Sequence, residues 1–367
     1  LMHWSKGAEA TIIVGDPWQS LYAWRGADPD AMMPSRLNAD HFKVLKHSYR
    51  VPAAVHSAAV KWVSQLTTTE RIEYLPREGA EGSVRSIEAS YRDPSAIIDD
   101  AIAQVAAGRS AMICGACSYM LDRATGELKD RGAPYSNPWR IKRGDWNPLG
   151  AVSGARMTPA RRLVNFLAID SQLHGDKARL WTWPELWSWA QLLASKGVIR
   201  HGMKAKIEHN AKHKHEDEVV RLSDLSDIFE QPIPTDLFQW MADREDGDAD
   251  MSFVQRFFTE RALSSKQNMI KYPLRLAAEL GAASLVTPPR LHVGTIHSFK
   301  GAEADVVYVM PDLSPAGARE WDDGGRAGDS IVRMFYVALT RAREEVVLCD
   351  AGGRHAVDWL ECGIRPQ

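Results

Sequence analysis

Short apolar segments rich in β-branched residues alternate with helical segments along this chain, and this alternation limits the fold more than any other feature. Residues 111–114 and 306–310 are strand candidates, and helices are predicted over residues 96–107 and 331–343. Strands that alternate with helices are typical of a parallel sheet covered by helices. The sequence therefore predicts an α/β fold with a parallel sheet.

The same pattern extends over most of the chain and is interrupted once. Further strand candidates lie at residues 11–14, 42–45, 291–295 and 346–349, and further helices at residues 52–66 and 115–131, the latter stopped by Gly132. Residues from about 150 to 285 are helical in character and concentrate Trp, Lys and His. We therefore expect one α/β domain that is interrupted by a helical insertion.

Composition places the chain among ordinary globular proteins. It has 367 residues, 45% of them hydrophobic and 25% charged, with a net charge of -2. This length allows about two domains, and the near-neutral charge means that nucleic-acid binding would use local basic patches. Four cysteines form no disulfide framework, and no apolar run is long enough to span a bilayer. We expect a cytoplasmic protein without a membrane segment.

Residues 15–27 read GDPWQSLYAWRGA and directly follow the first strand candidate. Ligands bind at the carboxyl ends of strands in open α/β sheets. A glutamine there can orient water or contact a phosphate, and aromatic rings beside an arginine suit stacking on single-stranded nucleic acid. The segment resembles motif III of the UvrD/Rep-type superfamily-1 DNA helicases, GDxxQSIYxWRGA. The resemblance implies that Gln19 couples to ATP and that Tyr22, Trp24 and Arg25 contact DNA.

Residues 47–50, His-Ser-Tyr-Arg, follow the second strand candidate and precede a helix. They resemble motif IV of the same family, which is usually Asn-Tyr-Arg, so Ser48 is a departure from the pattern. The resemblance implies that Tyr49 stacks on the adenine and that Arg50 reaches the γ-phosphate.

Residues 295–303 read TIHSFKGAE and follow another strand candidate. A threonine and a histidine at a strand end can bond phosphate oxygens, glycine permits close backbone approach, and a carboxylate can accept from a ribose hydroxyl. The segment resembles motif V, TxHxxKGxE. The resemblance implies that Thr295 and His297 contact DNA, that Gly301 lies near the nucleotide and that Glu303 binds the ribose.

Residues 336–343 read YVALTRAR and fall within the predicted helix 331–343. They resemble motif VI with its VALTRA core. On a helix, Tyr336, Thr340 and Arg343 would share one side and Arg341 would project elsewhere. A planar guanidinium suits phosphate binding, so the resemblance implies that Arg341 is an arginine finger. Arg341 would then act with Gln19 and Arg50 on the transferred phosphoryl group.

The four motifs occur in the family order, and the resemblance implies a RecA-like P-loop NTPase motor with a helical insertion. We expect residues 1–35 to be the end of a first motor domain and residues 36–149 the first part of a second one. Residues 150–285 would be the inserted helical subdomain, and residues 286–367 the second part of the second motor domain, with motifs V and VI.

Phosphoryl transfer also needs a phosphate loop and magnesium ligands, and this sequence has neither in the family pattern. It contains no Gly-Lys dipeptide and hence no GxxxxGK[ST]. Asp217-Glu218-Val219-Val220 spells DExx, but it lies in a charged run and in the wrong order. We expect the loop and the Mg²⁺ ligands in an N-terminal motor half that acts in cis or in trans, and no appreciable ATP hydrolysis by this chain alone.

The implied function is that of an ATP-dependent helicase or translocase, moving 3′ to 5′, with ATP and Mg²⁺ as cofactors and single-stranded and duplex DNA as partners. A split or relic half that binds single strands or a partner without catalysis is the alternative, and a recombination helicase-nuclease subunit is another. In the insertion, core packing is the expected role of the tryptophans at 181, 183, 187 and 189. The basic run over residues 204–215 has two interpretations: it contacts nucleic-acid phosphates, or it forms a solvated helix face.

Overall fold

The computed structural model describes residues 7, 9–10, 12, 14–22, 25–29, 43–67, 72–150, 152–153, 156–167, 180–242 and 250–366. The candidate DNA contact Trp24 and the predicted strand residues Thr11, Ile13 and Phe42 lie outside these residues. The chain divides into two compact units. Unit 1 contains residues 1–124 and 294–367, and unit 2 contains residues 125–293.

Five strands form one parallel sheet, which confirms the predicted α/β class. In the sheet they follow the order β1-β7-β6-β2-β5, where the bounds are β1 (Ser83–Ile87), β2 (Ala111–Gly115), β5 (Leu291–Thr295), β6 (Ala304–Val309) and β7 (Ala342–Cys349). A separate antiparallel pair consists of β3 (Val152–Ser153) and β4 (Arg156–Met157). The apolar runs of β2 and β6 are almost wholly buried, as is typical of central parallel strands.

The described residues contain twelve α-helices. Their bounds are α1 (Ala53–Val63), α2 (Ser95–Ala106), α3 (Asp122–Asp130), α4 (Pro159–Leu167), α5 (Trp183–Ala190), α6 (Met203–His213), α7 (Leu222–Ile228), α8 (Ile233–Ala242), α9 (Met251–Arg261), α10 (Ser264–Leu280), α11 (Pro315–Asp323) and α12 (Gly325–Leu339). No helix within this part of the chain has both the length and the apolar character that crossing a bilayer requires.

The core of unit 1 is built around Trp62 on α1, which is fully buried. Its ring stacks on Trp321 at a centroid distance of 5.7 Å and meets Phe335 and Trp359 edge-on at 5.5 and 5.4 Å. The indole nitrogen donates to the carbonyl of Val332 at 2.7 Å, which satisfies its one polar group. These contacts fix α1 against α12, the helix that ends beside the candidate site.

Two predicted strands do not form over the described residues. The side chains of Ile12 and Val14 are 88% and 82% exposed and belong to no strand. Residues 43–46 are also irregular, and pairing begins only at His47, which forms a single parallel bridge with Leu75. A short apolar run becomes a strand only where a neighbouring strand supplies its hydrogen-bond partners, and none among the described strands lies beside these residues.

The predicted helix 331–343 has different bounds in the structure. It begins earlier, at Gly325, and ends at Leu339, with Thr340 as its C-cap. Ala342 and the residues after it belong to β7, where Ala342 pairs with Ala304. Tyr336, Thr340 and Arg343 therefore do not share a helix face, because pairing with β6 extends the backbone from Ala342 onward.

The core of unit 2 confirms that the tryptophans at 181, 183 and 189 pack in an interior. Each is at most 1% exposed, and Phe166 lies 5.5 Å from Trp181 and 5.1 Å from Trp189 between ring centroids. Helix α5, which carries two of them, begins with a capping box in which Thr182 and Glu185 satisfy each other's backbone N–H groups. Trp187 is partly buried against the same core.

Candidate functional site

The segment predicted to sense ATP is held by a short 3₁₀ turn, Pro17–Gln19. Asp16 caps this turn, because one carboxylate oxygen accepts from the backbone N–H of Trp18 at 2.9 Å and the other accepts from Gln19 Nε2 at 2.6 Å. Gln19 Oε1 in turn accepts from Arg341 Nη2 at 3.0 Å. The amide of Gln19 thus connects a carboxylate with a guanidinium, and its orientation is set by both.

Arg341 follows the end of α12 and is 1% exposed. Its Nε donates to the carbonyl of Val337 at 2.9 Å, Nη1 to the carbonyl of Ala302 at 3.3 Å, and Nη2 also to Thr340 Oγ1 at 3.2 Å. Burial and the positive charge of Arg50 lower the pKa of Arg341 to about 10, so the guanidinium stays protonated at neutral pH. In this conformation the Arg341 side chain connects the end of α12, the loop at Ala302 and Gln19, and it is almost completely buried.

Arg50 is the more accessible of the two arginines. The Ser48 hydroxyl accepts from the backbone N–H groups of Arg50 and Val51 at 3.2 and 2.9 Å, so serine performs a turn-forming role where the motif usually has asparagine. Arg50 Nη1 lies 3.7 Å from Glu303 Oε2. Arg50 Nε is buried without a hydrogen-bond partner, an arrangement that an anion accepting from this nitrogen would relieve.

Glu303 lies between two arginines, Arg50 and Arg343. Its Oε1 is 3.2 Å from Arg343 Nη1, and its Oε2 faces Arg50. Nearby Gly301 has φ +91°, a left-handed conformation that favours glycine, and an added Cβ would meet no atom within 4 Å. The structure therefore brings Arg50 and Glu303 together, with open space at Gly301.

Tyr49 points away from the protein and is 94% exposed. A phenol ring this exposed has a free face for stacking on a planar ligand. Its position next to Arg50 is fixed by the turn at Ser48.

Tyr74 and Tyr336 also belong to this site, although neither was predicted as a site residue from the sequence. Ser48 N donates to the carbonyl of Leu75 at 2.9 Å, and this pairing brings the neighbouring Tyr74 close to the Ser48 side chain. Tyr336 meets Trp18 edge-on at 5.7 Å between ring centroids. Burial raises the pKa values of both phenols, so both stay neutral. Tyr74 has no motif around it. Only the bridge between His47 and Leu75 shows that it lies beside the site.

The residues predicted to contact DNA form a second group in unit 1. The ring of Tyr22 lies 6.1 Å from that of His297, and the Arg25 guanidinium lies 6.0 Å from the Tyr22 ring. Lys300 Nζ lies 5.6 Å from the centre of the same ring; it was not among the predicted contacts although it belongs to the segment of residues 295–303. Thr295 caps the 3₁₀ turn of residues 296–299, and its carbonyl accepts from Ser298 Oγ at 2.6 Å. An aromatic ring among cations is suited to a nucleic-acid strand.

Within the residues that the structure describes, no three metal-ligating side chains are grouped closely enough to hold an ion. Asp217, from the DExx look-alike, lies on the surface 3.6 Å from His215. No protein-family model and no curated protein matches this chain.

Proposed function

We propose that this chain supplies the nucleotide-sensing and DNA-contacting part of an ATP-dependent superfamily-1 DNA helicase or translocase with a RecA-like P-loop NTPase motor. The observation that carries the proposal is the contact between Gln19 and Arg341, which are 322 positions apart and meet at 3.0 Å. Arg50 lies close enough to Arg341 for the two charges to repel. Two arginines that converge beside a glutamine are suited to the terminal phosphate of a nucleoside triphosphate.

The electrostatics of the group favour an anion. Asp16 is engaged by Trp18 and Gln19, and Glu303 is shared between two arginines. A phosphate oxygen that accepts from Arg50 would satisfy its buried Nε and reduce the repulsion between the arginines. The exposed ring of Tyr49 next to Arg50 is placed to stack on the base of the same nucleotide.

Arg341 can act on a phosphate only after it gives up an existing acceptor. Gln19 is the exchangeable one, because the other acceptors are backbone carbonyls and the neighbouring Thr340 hydroxyl. In the proposed cycle, the triphosphate takes the place of Gln19 at Arg341, and Gln19 turns toward the phosphate. This exchange would couple nucleotide binding to the segment that carries Tyr22.

ATP hydrolysis, in this proposal, uses a phosphate loop and Mg²⁺ ligands that are not in this sequence and are supplied in cis or in trans. The second candidate function is a DNA-binding module without catalysis. It is favoured by the complete burial of Arg341, whose contacts alone would suffice for a purely structural role.

Oligothymidylate binding, measured by fluorescence anisotropy with and without nucleotide, tests the proposal. We expect binding to single-stranded DNA whose affinity changes with a non-hydrolysable ATP analogue and not with ADP. Equal affinity under all three conditions would establish the non-catalytic module instead. Absence of DNA binding would contradict both functions.

A further inference from the structure

A pair of tyrosines lies at the carboxyl edge of the parallel sheet in unit 1, apart from the site described above. Tyr91 follows β1 and Tyr119 follows β2, and their rings meet at a centroid distance of 6.3 Å and an angle of 81°. Tyr119 is 49% exposed. We call the two rings together with Arg92 the Tyr91–Tyr119 ledge. It lies on the edge where open α/β sheets bind ligands.

Tyr91 is held rigidly by the loop that follows β7. Its ring packs closely against Gly352, where an added Cβ would be 2.5 Å from Tyr91 Cδ1. Both carboxylate oxygens of the buried Asp312 accept from the backbone N–H of Gly352, at 3.1 and 3.0 Å. Asp312 thus anchors this loop, and the loop packs against the Tyr91 ring.

Two exposed arginines, Arg92 and Arg123, lie at the ledge. Arg92 is exposed, its guanidinium lies 5.6 Å from the centre of the Tyr91 ring, and its Nε donates to the Tyr91 hydroxyl at 3.1 Å. Arg123 donates to the backbone carbonyl of Arg92. The Asp312 carboxylate, whose charge acts on Arg92, is 2% exposed and accepts from the backbone N–H of Gly352. Exposed aromatic faces next to guanidinium groups are the combination that binds bases and phosphates of single strands.

The ledge shares its sheet edge with the residues already assigned to DNA. Thr295 ends β5 and His297 follows it at the same edge, because all five strands are parallel. Four strand spacings separate β5 from β1, about 19 Å in total. A strand that follows this edge would need about six nucleotides at a stacked spacing of 3.4 Å.

We propose that the Tyr91–Tyr119 ledge is a second contact for single-stranded DNA, with an unstacked base against Tyr119 and a phosphate at Arg92. The inference rests on the proposed function and adds to it a longer DNA path along the sheet edge. A short oligonucleotide would occupy only the group at Tyr22 and His297. A longer one would reach both contacts.

The test is the affinity of the chain for labelled oligothymidylates of about 4 to about 16 nucleotides, a range that covers known single-strand site sizes. We expect Tyr119→Ala to weaken binding of the long oligonucleotide about tenfold and to leave the short one unchanged. Tyr119→Phe, which keeps the ring, should bind like the wild type. Arg92→Gln should reduce the salt slope of the long oligonucleotide by about 0.7, whereas Arg319→Gln, an exposed arginine on α11, should not.

The outcomes separate this inference from the proposed function. Unchanged long-oligonucleotide affinity in Tyr119→Ala, or an equal loss at every length, would overturn the ledge. If instead Tyr22→Ala has no effect on any length while Tyr119→Ala does, the ledge stands and the assignment of Tyr22 fails. A wild-type chain that binds no oligonucleotide refutes both, and circular dichroism of each variant excludes unfolding as the cause.

Discussion

Arg341 and Arg50 illustrate, at the scale of single residues, how two arginines assigned to the same phosphate differ in environment. Arg341 is buried and donates to Val337, Ala302, Thr340 and Gln19. Arg50 keeps a buried Nε without a partner and a long contact to Glu303. The donor without a partner therefore belongs to Arg50, and we expect its replacement to affect nucleotide binding directly, whereas replacement of Arg341 would also remove structural contacts.

Replacing Arg50 by glutamine should weaken binding of an ATP analogue more than binding of ADP. A hydrogen bond between charged groups contributes about 1.5–3 kcal/mol, which corresponds to a loss of about 10- to 100-fold for the triphosphate. Titration with fluorescent ATP and ADP analogues measures the difference. Arg319→Gln is the matched control, and equal losses for the two nucleotides would show that Arg50 does not contact the terminal phosphate.

A second residue-scale prediction concerns Asp100, which lies in an ion network outside the candidate site. Partial burial raises its pKa, but hydrogen bonds from Tyr308 and Arg85 outweigh this and leave the pKa below its ordinary value. A depressed carboxyl pKa stabilises the fold above the unfolded-state pKa of about 3.9 and loses that effect as the pH falls through the lower folded-state value.

We therefore expect Asp100→Asn to reduce the free energy of unfolding by about 1 kcal/mol at pH 7, a value discounted for the partial exposure of the pair. The difference from the wild type should shrink below about pH 4, where the wild-type carboxylate also becomes protonated. Urea denaturation across this pH range measures it. Asp322→Asn, an exposed aspartate on α11, should show no such difference, and a pH-independent deficit in Asp100→Asn would contradict the ionic origin.

At the scale of secondary-structure elements, local pattern and tertiary pairing compete. The strands β2, β5 and β6 and the helices α1 and α2 lie close to the positions that their apolar patterns predict, because the same residues that favour each element also face the core. The end of α12 differs from the prediction. The sequence YVALTRAR has no glycine or proline that would stop a helix, so the pattern alone extends the helix too far. Pairing of Ala342 with Ala304 in β6 decides where the helix ends.

Helix α5 allows a direct measurement of one local signal. Its N-cap, Thr182, accepts from the backbone N–H of Glu185, so Thr182→Ala should lower the free energy of unfolding by about 1 kcal/mol. Thr182→Ser retains the hydroxyl and serves as the control, to be compared by denaturant titration. If both variants lose the same free energy of unfolding, the threonine methyl group and not the hydroxyl would be responsible.

At the scale of the whole molecule, each unit has its own hydrophobic core, and the candidate residues belong to unit 1. The described residues of the four segments 15–27, 47–50, 295–303 and 336–343 all lie within 1–124 and 294–367. A phosphate loop is not part of this sequence, and backbone N–H groups of such a loop are needed to cradle the phosphates.

The chain alone should therefore bind single-stranded DNA without appreciable ATP hydrolysis. Phosphate release in the presence of oligothymidylate measures this, with a contaminating ATPase excluded by the Arg50→Gln variant prepared in the same way. DNA-stimulated turnover that Arg50→Gln abolishes would show that the chain carries a complete ATPase and that our assignment of the phosphate loop is wrong.

The amino-acid sequence by itself determined the α/β class, the approximate positions of four strands of the parallel sheet and of several helices, and the segments that hold the candidate residues, because local periodicity and turn chemistry encode these features. It did not determine that Arg341 is buried, that Tyr74 joins the site, or that Tyr91 and Tyr119 meet at one sheet edge. Those depend on the order of strands in the sheet, which brings residues far apart in the chain into contact. The run at residues 11–14 shows the same limit, since an apolar pattern specifies a strand only together with the neighbour that pairs with it.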